Sequence, residues 1–97
     1  MSWGEHRVKL TDRIEVSSDV VAREVGDETM LLNLTTGTYF GLDSVGGRFW
    51  QLLEEGKSPL EARDALLEEY EVGAVQLEGD LEKLLADLAE NGLVAAQ

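Results

Sequence analysis

The chain has 97 residues, a net charge of −12 and no cysteine. That length supports one small core, the missing thiols exclude disulfides and thiolate metal sites, and the charge repels phosphate backbones and anionic lipid headgroups. Hydrophobic residues make up 43% of it, which is the composition of a folded domain and not of a disordered segment.

A single domain over residues 1–97 is expected, with residues 1–7 flexible. The opening MSWGEHRVKLTDR has no apolar h-region, so no signal peptide is expected and the cytoplasm is the default compartment. No run approaches the roughly 18 apolar residues that cross a bilayer, and neither membrane nor nucleic acid is an expected partner. Residues 43–97 carry thirteen acids against four bases, a surface that favours a neutral or basic partner.

Met1 to Glu5 reads as a frayed terminus. Val8, Leu10, Ile14 and Val16 alternate around a Thr-Asp step, a weak strand pattern. Ser17-Ser18-Asp19 is a turn cluster, and the β-branched run Val20 to Val25 reads as a strand. Gly26-Asp27 then suits a type II′ hairpin turn, with Gly first. Glu28 to Leu34 is the next strand, with Met30, Leu32 and Leu34 on one face. Thr35-Thr36-Gly37 suits a three-residue turn whose Gly takes the left-handed position. Thr38 to Leu42 completes a three-stranded meander.

After Leu42 the apolar period changes from two to 3.6. Asp43 or Ser44 can cap a helix whose apolar face is Val45, Phe49, Leu52 and Leu53. Gly46-Gly47 costs about 1 kcal/mol per Gly relative to Ala, so the pair suggests close packing, with the sheet as the candidate neighbour. Gly56 stops this helix. Ser58-Pro59-Leu60-Glu61 is a capping box with proline at the first helical position, where its missing N–H costs nothing. Ala62, Leu66 and Tyr70 share a face of this second helix, which Val72-Gly73 ends. A third helix spans roughly Val75 to Asn91, with Leu77, Leu81, Leu84, Leu85 and Leu88 at helical spacing. Asn91-Gly92 is a C-cap pair, and Leu93-Val94 a short apolar coda. Three antiparallel strands followed by three helices make an α+β chain. The last two helices form a helix-turn-helix pair with the hairpin as its wing.

The residue inventory argues against an enzyme. His6 is the single histidine and reads as an exposed terminal residue. The pairs Glu54-Glu55 and Glu68-Glu69 are helix neighbours about 100° apart, which do not converge on one bond. Gly46-Gly47 lacks the spacing of a phosphate loop, and no metal site or cofactor is expected. A winged helix is most often a DNA reader, and an acidic winged-helix regulator is one alternative reading. Its recognition helix needs Arg or Lys toward the phosphates, yet the third helix sets Lys83 against Glu78, Asp80, Glu82, Asp87 and Glu90.

What remains is surface. In a meander of this order, Thr38–Leu42 pairs on one side only, and its other edge offers unpaired N–H and C=O groups to an added strand. Thr38-Tyr39-Phe40-Gly41-Leu42 has no lysine, proline or charge to blunt that edge. The third helix is the expected second wall of a groove, since its five leucines span more than one narrow seam. Asp80, Lys83 and Asp87 flank that stripe. A second alternative is a self-pairing oligomerisation module whose edge meets its own copy.

The run LLNLTTGTYFGLDSVGGRFWQLLEEG, the SPLEA helix start, the EEYEV break and the LLADLAENGLV ending together resemble the PqqD-like family. Its members are peptide chaperones, or RiPP recognition elements, named for the pyrroloquinoline quinone biosynthesis protein D. The resemblance covers about Val20 to Val94 and is most specific at Thr36 to Asp43, then Gly47, Phe49-Trp50 and Leu52-Leu53. It implies a winged helix-turn-helix that binds the leader segment of a ribosomally made precursor peptide as an added antiparallel strand. Carried onto this chain, the implied peptide-binding residues are Thr38, Tyr39, Phe40, Gly41 and Leu42 with Leu77, Asp80, Leu81, Lys83, Leu84 and Asp87. It also implies a modifying-enzyme partner, such as a radical enzyme or a lasso-peptide protease and cyclase pair, and either a monomer or a dimer. Gly79 and the Gly73-to-Gln76 connection depart from the pattern and bear on where the third helix starts.

Overall fold

The computed structural model describes residues 8–96; the expected frayed Met1 to Glu5, the flexible residues 1–7 and the terminal His6 lie outside the described residues. In chain order the elements are β1 (Ile14–Val16), β2 (Val20–Val25), β3 (Glu28–Asn33), β4 (Thr38–Leu42), α1 (Ser44–Glu54), α2 (Pro59–Glu69), α3 (Ala74–Glu90) and β5 (Val94–Ala96). β2, β3 and β4 form the antiparallel meander, and β1 and β5 pair in a separate two-stranded sheet. The chain is thus α+β, with the meander ahead of the three helices.

Turn chemistry sets the meander's register. Val25 faces Glu28 across a two-residue loop, and only Gly26 of the two loop residues has positive φ, at 65°, as a type II′ turn requires. The second turn is one residue longer than expected, because Asn33 pairs with Thr38 and Leu34 falls into the loop. Gly37, at φ 74°, donates its N–H to the Asn33 carbonyl at 2.7 Å. The Asn33 side chain closes the bend from inside, its Oδ1 accepting the Thr35 N–H at 2.9 Å.

The buried face of β3 is the opposite of the one its leucines suggest. Thr29, Leu31 and Asn33 are buried, Met30 and Leu32 are half-buried on the outer face, and Leu34 is 59% exposed. Phe40 pairs with Leu31 and Leu42 with Thr29, so these two β4 side chains share the inner face. The two polar residues on that face each have a structural role. Thr29 abuts α1 at Gly47, where a Cβ would lie 2.5 Å from Thr29 Oγ1. Asn33 Nδ2 donates to the Asn91 carbonyl at 3.0 Å, tying the end of α3 to the hairpin.

Helix α1 is central, packing on β3, β4, β1 and α2. Asp43 caps it, Oδ1 accepting the Gly46 N–H at 2.8 Å. Gly46 and Gly47 are buried against the meander, the close approach their pairing suggests. Ser58 and Glu61 form the full capping box of α2. The Ser58 N–H, at 2.9 Å from Glu61 Oε1, holds the Glu61 carboxyl below its ordinary range. Arg48 bridges α1 to Glu69 of α2 at 2.9 Å, and this hydrogen bond lowers the Glu69 pKa. Arg63 bridges α2 to Glu78 of α3 at 3.0 Å. Helix α3 begins at Ala74, with the Gly73 carbonyl accepting the Leu77 N–H at 2.9 Å, so Leu77 lies inside the first turn.

The apolar coda is a strand. Val16 pairs with Val94 and Ile14 with Ala96, while the Ser17 N–H reaches the Leu93 carbonyl at 2.9 Å. This pairing fastens the segment before the meander to the segment after the last helix. Val8 and Leu10, expected to begin a strand, are buried without being one. The core gathers Leu31, Phe49, Trp50, Leu66, Leu85 and Leu88 between meander and helices.

Candidate functional site

A groove of about 550 Å³ runs between β4 and α3, within the size range of ligand-binding clefts. β4 forms one wall. It pairs with β3 alone, so every second residue turns its N–H and C=O away from the sheet. Phe40 and Leu42 project toward the helices, as their pairing with Leu31 and Thr29 dictates.

α3 forms the other wall, and helical geometry divides its leucines between two tasks. At about 100° per residue, Leu77, Leu81, Leu85 and Leu88 centre on the core, and all four are buried. Leu84 and Asp80 are rotated toward β4 and line the groove, with Asp87 beyond them. Leu77 and Leu81 belong to both, being only 3% and 2% exposed yet forming the groove's apolar floor.

Of the residues singled out from the sequence, the structure brings Phe40, Gly41, Leu42, Leu77, Asp80, Leu81, Leu84 and Asp87 together around this groove. Thr38, Tyr39 and Lys83 do not line it. Tyr39 is opposite Leu32 on the outer face of the sheet, where it is 69% exposed. Thr38 stands at the hairpin end of β4, its hydroxyl 2.7 Å from that of Thr36. Lys83 is exposed on the solvent side of Asp87, about 40° further round the helix at 100° per residue.

Sequence reasoning missed the end wall. Asp43, Val45 and Gly46 from the start of α1, and Glu71, Val72 and Gly73 from the α2–α3 connection, complete the lining with Gln76. The connection is irregular, so no periodicity marks which of its residues turn inward. One signal was present: Val72 is an apolar residue in a polar loop, and it stays 41% exposed.

Chemically the site offers hydrogen-bonding backbone, an apolar floor and carboxylates at the rim. Asp43, Glu71, Asp80 and Asp87 line it, with no lysine, arginine or histidine among the lining residues. Among the described residues no group of three or more His, Cys, Asp or Glu side chains is placed to hold a metal ion, and no helix is long and apolar enough to cross a membrane.

An antiparallel wing, a helix-turn-helix pair and an open sheet edge facing the last helix define a winged helix-turn-helix-like domain with an edge-strand groove. Within that class the particular assignment follows from sequence. The chain belongs to the PqqD family, whose model, described as coenzyme PQQ synthesis protein D, matches residues 28–94. No curated protein matches the chain. Among solved structures it is similar to TbiB1 in complex with the TbiA(beta) leader peptide, at 50% identity and a TM-score of 0.76, covering 82% of this chain and 93% of that one. It is also similar to lasso peptide synthetase B1 complexed with the leader peptide, at 27% identity and a TM-score of 0.73, covering 84% of this chain and 96% of that one.

Proposed function

We propose that this chain binds the leader segment of a ribosomally synthesised precursor peptide and presents it to a modifying enzyme. The leader adds to β4 as an antiparallel strand, its backbone bonded to the open edge of Thr38–Leu42. Two or three of its side chains enter the groove over Leu77, Leu81 and Leu84, between Asp80 and Asp87. The observation that carries the reading is the unpaired edge of β4 opening directly onto an apolar groove. The two similar structures support it, since both are complexes with leader peptides.

The proposed mechanism is recognition without chemistry. Each aliphatic or aromatic side chain buried contributes about 1.5–3 kcal/mol, and ordering a flexible leader takes back several. The balance is an affinity of roughly micromolar or somewhat tighter. Tethering the leader raises the effective concentration of the attached core peptide at the enzyme. A radical enzyme or a lasso-peptide protease and cyclase pair fits the enzyme's part.

The TbiA(beta) leader peptide is the first probe. Titrated into isotope-labelled chain, it is expected to shift backbone NMR signals of Thr38–Leu42 and of α3 from Leu77 to Asp87. Shifts confined to α1 and α2, with β4 unmoved, would sink the proposal.

A further inference from the structure

The charge around the groove narrows the chemistry of its ligand; this inference rests on the reading of the groove as a strand-binding site. Several carboxylates outside the groove are engaged internally: Glu69 with Arg48, Asp64 and Glu78 with Arg63, and Glu61 with the Ser58 N–H. Among the described residues the side chains of Glu71, Asp80 and Asp87 take no ion pair or hydrogen bond. Asp43 uses one oxygen on the Gly46 N–H. Four like charges therefore line an apolar floor with no cation among the lining residues; the nearest on α3 is Lys83, exposed about one turn from both Asp80 and Asp87. A ligand cation seated beside one of them gains from that charge.

The fold sets their order along the groove. Asn33 pairs with Thr38 and also binds the Asn91 carbonyl, so the C-terminal end of α3 lies at the Thr38 end of β4. Helix and strand run in opposite directions, which places Asp43 and Glu71 at the Leu42 end. Asp80 and Asp87 follow, about 10 Å apart at 1.5 Å per residue. An antiparallel strand added to β4 has its N-terminal part at the Leu42 end. Its groove-facing side chains recur every second residue, about 7 Å apart.

We infer that the ligand is an extended peptide with lysine or arginine flanking its apolar anchors at groove-facing positions. One basic residue near its N-terminal end meets Asp43 and Glu71. Others, two or four residues apart, meet Asp80 and Asp87. An acidic or neutral strand of the same apolar pattern binds the same floor more weakly.

The test is selection of random 12-residue peptides displayed on phage against the full-length chain, followed by synthesis of the enriched peptide as a fluorescent probe. Basic residues at that spacing are expected. Asp80→Asn and Asp87→Asn are each expected to weaken the probe about 1.5- to fivefold. Exchanging the probe's basic residues for glutamate is expected to weaken it about tenfold or more. Leu84→Arg, which fills the groove, reports on the site itself. Peptides that lose binding to Leu84→Arg but show no basic preference, or that ignore both asparagine variants, overturn the charge inference and leave the strand-binding reading standing. Peptides indifferent to Leu84→Arg, or no enrichment at all, overturn that reading and the inference with it.

Discussion

Replacing glycine by alanine is expected to have opposite effects at two helical positions of this chain. At Gly47 in α1, the added Cβ would lie 2.5 Å from Thr29 Oγ1 and 3.2 Å from Thr29 Cβ. Thr29 is 8% exposed, sits in the central strand of the meander, and is stiff about χ1 because it is β-branched. Neither residue can yield freely, so the overpacking cost belongs in the upper half of the usual range, about 2–3 kcal/mol. Alanine returns about 1 kcal/mol of helix propensity. Gly47→Ala is therefore expected to destabilise by about 1–2 kcal/mol, lowering Tm by roughly 5–15 °C for a domain of this size. At Gly79 in α3 nothing lies within 4 Å of the added atom, and Gly79→Ala is expected to stabilise by about 0.5–1 kcal/mol. Urea titrations followed by circular dichroism give both values. Adding Thr29→Ala to Gly47→Ala removes the closest clash, and a coupling of at least about 0.5 kcal/mol is expected from the double-mutant cycle. A Gly47→Ala variant as stable as Gly79→Ala would refute the claim that α1 touches the sheet at this point.

Four further outcomes test the fold. Leu31→Ala, at a fully buried site, is expected to cost about 2–5 kcal/mol, while Leu34→Ala, 59% exposed, changes urea stability by less than about 0.5 kcal/mol; similar losses at both would restore the other face of β3 as the core face. Asn33→Ala removes the bonds to Thr35 and Asn91 and is expected to cost about 1–3 kcal/mol, with faster amide exchange in the last turn of α3; Asn33→Asp keeps the acceptor toward Thr35 and should retain the hairpin while loosening that turn. Ser58→Ala is expected to cost about 1 kcal/mol in the same titrations. Glu61 and Glu69 have lowered carboxyl pKa values in the folded chain, so their contribution is present above the unfolded carboxylate pKa. It is lost as pH falls through the lowered folded values. Acid titration should accordingly show falling stability below about pH 4.5, and Glu61→Gln should reduce that slope.

The turn and cap residues made much of this architecture readable. Gly26, Gly37, Asp43 and the Ser58–Glu61 box act over three or four residues, and each performs its expected local role. Helix α3 was legible too, because five leucines over three turns leave no other period. The faces of β3 were not. A count of apolar residues favours Met30, Leu32 and Leu34, but the inner face carries Thr29 and Asn33 for contacts with Gly47 and Asn91 that lie far away in sequence. Leu93-Val94 looked like a coda because a three-residue strand has no measurable period, and its partner lies at the other end of the chain.

The groove divides in the same way. Its strand and helix walls could be named from an unblunted edge and a broad leucine stripe. Its end wall of Glu71, Val72 and Gly73 could not, since an irregular connection turns residues inward only through packing. Thus the sequence alone determined the order of the meander strands and the three helices, their caps and turn glycines, and the excess of acid. These depend on neighbours a few residues apart and on composition. Tertiary structure decided which face of β3 is buried, which leucines of α3 floor the groove, and that four carboxylates line it beside one open edge. Each of those depends on distances between residues that only folding brings together.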